Sequence, residues 1–255
     1  MNETIDSAVP LTGGAHAKPY GVHADVVLFT IASEERQSPK KTLPYRELQV
    51  VLLRRTEWPY EGGFALPGGF AKENESIREC ACRVLRTETG VAEEEIDFFN
   101  EYSDPGRDPR GWVVSHGFFA LVNEADLAEA ISGRDDVLSL PVSEALGMPL
   151  AFDQRAMVSD ALRRLRRLVL TTTIARRLLP EEFTISELYQ VIEAVVPDFE
   201  EKNFIRKLIS TRSRKGILEE ARAPNGEPKT SNRHSQRAAR LYRFTDFEPR
   251  LSIYG

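Results

Sequence analysis

The chain has 255 residues, 41% hydrophobic and 29% charged, with a formal net charge of -5 and two cysteines. That length suits one large domain or two ordinary ones, and the absence of any run of about 18 apolar residues excludes a membrane-spanning helix. Cys80 and Cys82 stand at i, i+2 on a predicted helix and point to different sides, which excludes their pairing, and no second Cys or His pair stands nearby for a zinc site; they read as small semi-buried residues suited to a reducing cytoplasm.

The opening "MNETIDSAVPLTGGAHAKPY" lacks the basic and apolar regions of a secretory signal and reads as a disordered tail over residues 1–20. "ADVVLFTIA" (24–32) and "LQVVLLRRT" (48–56) are rich in Val, Leu and Ile and read as buried strands, joined by a polar, proline-bearing loop. "FALPGGF" is a strand end and a glycine turn. A helix follows over 75–89, with Gly90 placed to end it in a left-handed conformation. "DFFNEYS" and "WVVSHGFFALV" (112–122) are further strands flanking the Pro-, Gly- and Arg-rich turn "DPGRDPRG" (104–111). "EADLAEAI" is a short helix, and "VLSLPVSEALGMPLAFD" closes a first body spanning 21–155. Strands mixed with one strong internal helix predict an α+β fold.

Beyond Asp153 the texture changes. Residues 153–180 predict one long helix, with Met157, Leu162, Leu165, Leu168 and Val169 on one stripe, arginines opposite, and Pro180 as the stop; its portion 156–180 connects the first body to a second one at 181–248. In "FTISELYQVIEAVV", Thr184 and Glu187 form a capping box, and Leu188, Val191, Ile192 and Val195 share a buried face. "DFEEKNFIRKLISTRSRKGIL" is another helix, with a second capping box at Asp198 and Glu201. "ILEE" and "ARLYRFT" are short strands around a polar, basic loop. This order is that of a winged helix-turn-helix. Charge agrees: from Lys202 to Arg243 twelve basic residues face three acids, so this segment is +9 on a remainder of -14. A basic module on an acidic body points to a polyanion for that end, against the plainer reading of a solvated charged face.

The stretch "ALPGGFAKENESIRECACRVLRTETGV" (65–91) carries Gly69, Glu75, Arg83, Leu85, Glu88, Gly90 and Val91 at the spacing of the Nudix box, which it resembles. "RECA" at Arg78 is a decoy, since Gly69 and Gly90 both set the register on Arg83. Hydrolysis through that motif needs three carboxylates at i, i+3 and i+4 on one helical face, to hold Mg²⁺ on a diphosphate and activate water. Those positions hold Val84, Thr87 and Glu88. One Glu binds Mg²⁺ weakly, and Glu75 and off-motif Glu79 are the only helpers at hand. No catalytic residue and no dedicated metal ligand is therefore assigned, although residual magnesium stays possible.

A decayed Nudix box followed by a basic winged helix resembles the Nudix-related transcriptional regulators of the NrtR type. "GGFALPGGF", "RDPRGWVVS", "MPLAFDQ" and "NFIRKLIS…GIL" carry the likeness, which runs from about Gly21 to Phe244; the tail and the long wing loop are extra. The resemblance implies a Nudix α/β/α sandwich followed by a winged helix-turn-helix. It further implies a cytoplasmic homodimeric repressor of NAD biosynthesis or salvage genes, whose Nudix domain binds ADP-ribose or a related nucleotide and lets go of DNA, with no cofactor required. A sister group responds to sugar metabolism, so a sugar-related effector is the alternative within this class. The alternative outside it is an ADP-ribose pyrophosphatase with a helical appendage.

A diphosphate needs cationic forks. Arg107 and Arg110, in the turn, and Arg55, at a strand end, are the ligand candidates, each against the reading of a surface salt bridge; Glu75 and Glu88 are candidates for a ribose hydroxyl or one ion. Trp58 or Tyr60 stacks a base or merely lines the rim, Asp108 caps its turn, and His116 is structural. For double-stranded DNA, Lys202, Asn203, Arg206, Lys207, Ser210 and Arg214 are the candidates, most of them opposite the apolar Phe204, Ile205, Leu208 and Ile209, while Arg237 and Arg240 of the wing reach backbone or minor groove.

Overall fold

The structure is a computed structural model that describes residues 20–34, 44–93, 95–197, 199, 216–233 and 237–247. Its centre is a seven-stranded sheet. β1 (Tyr20–Glu34) lies between β2 (Tyr45–Arg54), antiparallel to it, and β6 (Trp112–Leu121), parallel to it. β3 (Phe64–Ala65) and β7 (Val137–Pro141) pair with β2, β4 (Gly68–Phe70) pairs with β1, and β5 (Asp97–Tyr102) pairs with β6.

β1 is apolar on both faces because both are covered. Alternate residues Ala24, Val26 and Leu28 meet α1 (Ile77–Thr89) and α2 (Glu124–Ala130) through Cys80, Val84, Leu85 and Leu127. Val27, Phe29 and Ile31 face the other way, toward α3 (Val142–Gly147) and α4 (Gln154–Thr171), where Met157, Val158, Ala161 and Leu165 are fully buried. The result is an α/β/α sandwich. Ser76 and Glu79 close a capping box at the start of α1, and Gly90 ends it at φ 79°.

The expectation of one helix over 153–180 needs correction. α4 stops at Thr171, Thr172 is extended (φ -136°, ψ 176°), and a separate 3-10 helix covers Ile174–Leu178. Three successive threonines are the cause. The Thr171 and Thr172 hydroxyls bond back to the Arg167 and Leu168 carbonyls at 2.9 and 2.8 Å, and Thr172 Oγ1 then accepts the Ile174 N–H at 3.3 Å. Such side chains offer the backbone an alternative to the helix and crowd it with β-branches. α4 is also no bare connector, since its apolar stripe is the second layer of the sandwich.

α5 (Ile185–Val195) starts at the predicted Thr184–Glu187 capping box and buries Leu188, Val191, Ile192 and Val195. The helix expected around 200–213 lies outside the described residues, as do the Asp198–Glu201 capping box and the tail. The wing has the two expected strands, and a further short one within the expected loop. β8 (Leu218–Glu220) pairs with β11 (Tyr242–Phe244), and β9 (Thr230–Ser231) with β10 (Ala239–Arg240). Lys229 is stitched between them, its N–H on Ala221 O at 2.8 Å and its carbonyl accepting Leu241 N–H at 3.0 Å. Phe183 and Tyr242 exchange both backbone bonds, tying the residue before the Thr184 cap of α5 to the wing. One apolar core runs from Val27 and Phe29 through Met157 and Leu165 to Phe183, Leu188 and Leu218, so the two modules share packing. Among the described residues no helix is long and apolar enough to cross a membrane.

Candidate effector cleft and nucleic-acid module

A cleft of about 340 Å³ opens between the ends of β2 and β3, the glycine turn and the C-terminal part of α1. Arg55, Leu66, Gly68, Thr87, Glu88 and Arg134 are among the residues lining it. Gly68 brings backbone close: a Cβ there would stand 2.7 Å from Asp25 Oδ1. Its N–H donates to Glu88 Oε2 at 2.8 Å, and burial raises the pKa of the Glu88 carboxyl.

The other box positions are committed elsewhere. Arg83 grips Glu75 with two bonds, at 2.6 and 2.9 Å, and donates to Phe70 O at 2.9 Å; its hydrogen bond holds the Glu75 carboxyl down at about 2. Glu79 accepts the Ser76 N–H at 2.8 Å as part of the helix cap. Val84 is buried against Gly69. The Thr87 hydroxyl folds back on the carbonyls of Arg83 and Val84, at 3.0 and 3.3 Å. The Mg²⁺ that Nudix chemistry uses is therefore tested against a donor set of one carboxylate that already holds an N–H, and the residues do not fit it. Among the described residues no three His, Cys, Asp or Glu side chains gather as metal ligands.

The three candidate arginines do not stand alike. Arg55 lines the cleft, with Nε on Pro59 O at 2.6 Å; burial pulls its pKa down and nearby Arg110 adds to this. Arg110 is held by Asp108, 2.7 Å from Nη2 to Oδ2, and its guanidinium lies 4.8 Å from the Phe70 ring centroid and 5.2 Å from that of Phe152. Asp108 does cap its turn, accepting the Arg110 N–H at 2.9 Å. Arg107 is only 5% exposed and grips Asp153 with two bonds, at 2.8 and 2.6 Å; burial opposes its charge, but Asp153 outweighs burial and raises its pKa. Trp58 and Tyr60 are exposed at the rim, and Tyr60 meets Phe152 edge-on at 4.9 Å. His116 sits at 3.9 Å from Glu101 and beside Phe98.

Sequence reasoning passed over the residues on which these arginines converge, Phe152 and Asp153, and a polar cluster beneath the cleft. Asp25 accepts from Ser115 Oγ, from Gln154 Nε2 at 2.6 Å and from His23 Nδ1 at 3.1 Å. Burial alone would raise this carboxyl, but His23 and the hydrogen bonds outweigh it and hold it at about 2. Gln154 also accepts the Leu66 N–H at 2.9 Å, joining the first turn of α4 to the cleft floor. One signal was available. Asp25 is the lone charged residue in the largely apolar stretch "ADVVLFTIA", and a buried charge needs partners.

On the nucleic-acid side, Lys202, Asn203, Arg206, Lys207, Ser210 and Arg214 lie outside the described residues. Arg237 and Arg240 are exposed on the wing. Glu220 binds both Arg240 and Arg222, the latter at 3.1 Å.

Sandwich, glycine turn and winged helix together define a Nudix-fold sensory domain joined to a DNA-binding domain. Family models agree: the NUDIX domain matches residues 42–160, and the NrtR DNA-binding winged helix domain matches residues 175–244. The ADPR responsive transcriptional repressor NtrR of Acinetobacter baylyi is 31% identical over 216 residues, 82% of each chain. The Shewanella oneidensis NrtR structure in complex with a 27mer DNA superposes at a TM-score of 0.72, with 26% identity over 91% of this chain and 98% of that one. The ADP-ribose pyrophosphatase of Methanocaldococcus jannaschii is 33% identical over 119 residues, 46% of this chain and 68% of that one. The chain belongs to the NrtR family of Nudix-related transcriptional regulators.

Proposed function

We propose that this protein is a DNA-binding transcriptional repressor whose Nudix domain senses ADP-ribose or a close nucleotide relative and releases DNA when it binds. The observation that carries this reading is the pairing, on one shared core, of a Nudix cleft lined by Arg54, Arg55 and Arg134 with a basic winged helix. The chain acts as a homodimer in the cytoplasm, on genes of NAD biosynthesis or salvage. Arg55 and Arg110 meet the diphosphate, and Arg107 joins them once free of Asp153. Glu88 bonds a ribose hydroxyl, while Glu75 works only through Arg83. Lys202, Asn203, Arg206, Lys207, Ser210 and Arg214 enter a major groove, and Arg237 and Arg240 follow the backbone beside it.

The protein holds its nucleotide without cutting it and requires no metal, because Val84 and Thr87 stand where the hydrolase needs carboxylates. The likeness to the archaeal pyrophosphatase keeps hydrolysis as the competing reading, and magnesium-dependent release of AMP is its assay.

Fluorescence anisotropy tests the proposal. Labelled duplex from upstream of NAD-metabolism genes is titrated with protein at fixed salt, then with ADP-ribose in EDTA. Specific binding reversed by ADP-ribose is the expected result. Specific binding that ignores ADP-ribose refutes the effector, and binding no tighter than to random duplex refutes the regulator.

A further inference from the structure

All three candidate arginines converge on two adjacent residues at the start of α4. Arg107 holds the Asp153 carboxylate with two bonds, at 2.8 and 2.6 Å. Arg55 and Arg110 lie 5.4 and 5.2 Å from the centroid of the Phe152 ring, and Tyr60 closes on its edge at 4.9 Å. Phe152 sits at φ 54°, a left-handed conformation disfavoured for a bulky L residue. Gln154, directly after Asp153, is pinned to Asp25 and to the Leu66 N–H. From there α4 runs without a break to Thr171, and Arg166 donates to the Val195 carbonyl at the end of α5 at 3.0 Å.

We propose that Phe152 and Asp153 are an internal competitor that a nucleoside diphosphate must displace, and that this displacement is how the cleft reports to the winged helix. The proposal rests on the effector reading above. Its chemistry is substitution of like for like. A carboxylate and a diphosphate are alternative anionic partners for the Arg107 fork. A phenyl ring and a purine are alternative π faces for Arg55 and Arg110. With Arg107 nearly buried on Asp153, a ligand reaches it only by breaking that pair. Breaking it frees the start of α4 and lets Phe152 leave a disfavoured backbone conformation. A ligand that binds only with the latch open binds the latched, DNA-competent arrangement less well, which is the condition for releasing DNA.

The test is the coupling between effector and DNA in the full chain. ADP-ribose affinity is measured by calorimetry with and without the upstream duplex, for the natural protein, Asp153→Asn and Phe152→Leu. The natural protein should bind ADP-ribose on the order of tenfold more weakly on DNA. Asp153→Asn should bind it more tightly than the natural protein in the absence of DNA, and its coupling should fall below about twofold. Phe152→Leu keeps apolar bulk but loses the π face, and should lose coupling in the same direction with unchanged circular dichroism; it decides alone if Asp153→Asn does not fold. Natural coupling in the variants overturns the latch while leaving the sensor intact. A natural protein that binds DNA but gives no ADP-ribose heat fails before any variant is made, and overturns the effector reading and the latch together.

Discussion

Val84 and Gly69 interlock: the valine Cγ1 stands 2.7 Å from where a Cβ on Gly69 would be, with Val84 itself 2% exposed. The position that carries the first metal carboxylate in a Nudix hydrolase is here a packing contact between α1 and the glycine turn. Substituting Val84→Glu together with Thr87→Glu therefore forces a carboxylate into that contact and places two more charges beside Glu88. Without metal the double variant should be destabilised by roughly 2–4 kcal/mol. Mg²⁺ should restore part of the loss, because an ion bound only by the folded state stabilises it by mass action. Thermal melts in EDTA and in Mg²⁺ check this. A double variant that melts like the natural protein in both would show that Val84 is not seated as described.

Arg110 is caught between Phe70 and Phe152 and anchored by Asp108, so its guanidinium is preorganised at modest entropic cost. Arg110→Ala should weaken ADP-ribose binding on the order of tenfold, about 1.4 kcal/mol, and lower DNA affinity without effector by much less, since Arg107 still holds Asp153. Calorimetry and anisotropy on the same preparation separate the two. Equal losses in both would mean that Arg110 supports the fold rather than the ligand.

Much of this was legible in sequence. Gly90 and the Thr184–Glu187 box act within a turn of their own position, so local pattern suffices for the end of α1 and the start of α5; the Ser76–Glu79 box, equally local, starts α1 at Ile77 where the sequence reading has Glu75. Glycine spacing fixed the register of the box and exposed Val84 and Thr87. What the pattern hid was pairing across distance. Nothing near Arg107 in the chain announces Asp153, and the apolar run around Asp25 says only that its partners must come from elsewhere. The long helix failed for a local reason, since an apolar stripe continues past Thr171 while the threonine hydroxyls end the backbone ladder. Two wing strands, "ILEE" and "ARLYRFT", are legible and hold β8, β10 and β11, whereas β9 lies inside the expected loop because two residues are too short for periodicity to register.

Asp25 gives a pH signature. Its folded pKa of about 2 lies below the ordinary value of 3.8, so its contribution is complete above about pH 4 and is lost as pH falls toward 2. Asp25→Asn removes a buried charged acceptor of three hydrogen bonds and turns an amide N–H₂ toward one of the donors. It should cost roughly 2–3 kcal/mol at neutral pH and flatten the acid limb of the stability curve between about pH 4 and 2. Denaturant melts across that range check it. An acid limb as steep in the variant as in the natural protein would assign the acid sensitivity to other carboxylates.

Glu220 holds Arg240 and Arg222 together on the wing, an acid set among the cations that would otherwise face phosphate. Opposite substitutions at this cluster should act in opposite directions. Arg240→Ala should weaken DNA binding and lower the slope of log affinity against log salt by about 0.9, the loss of one phosphate contact. Glu220→Gln should strengthen binding by up to about fivefold, since an exposed pair is worth at most about 1 kcal/mol and both arginines are released together. Anisotropy titrations at several salt concentrations read both quantities. If Arg240→Ala lowers affinity without changing the slope, the wing arginine works by shaping β10 against β9 and not by meeting the backbone. If Glu220→Gln weakens binding, the two ion pairs hold the wing in its DNA-ready shape, and their order matters more than the charge they hide.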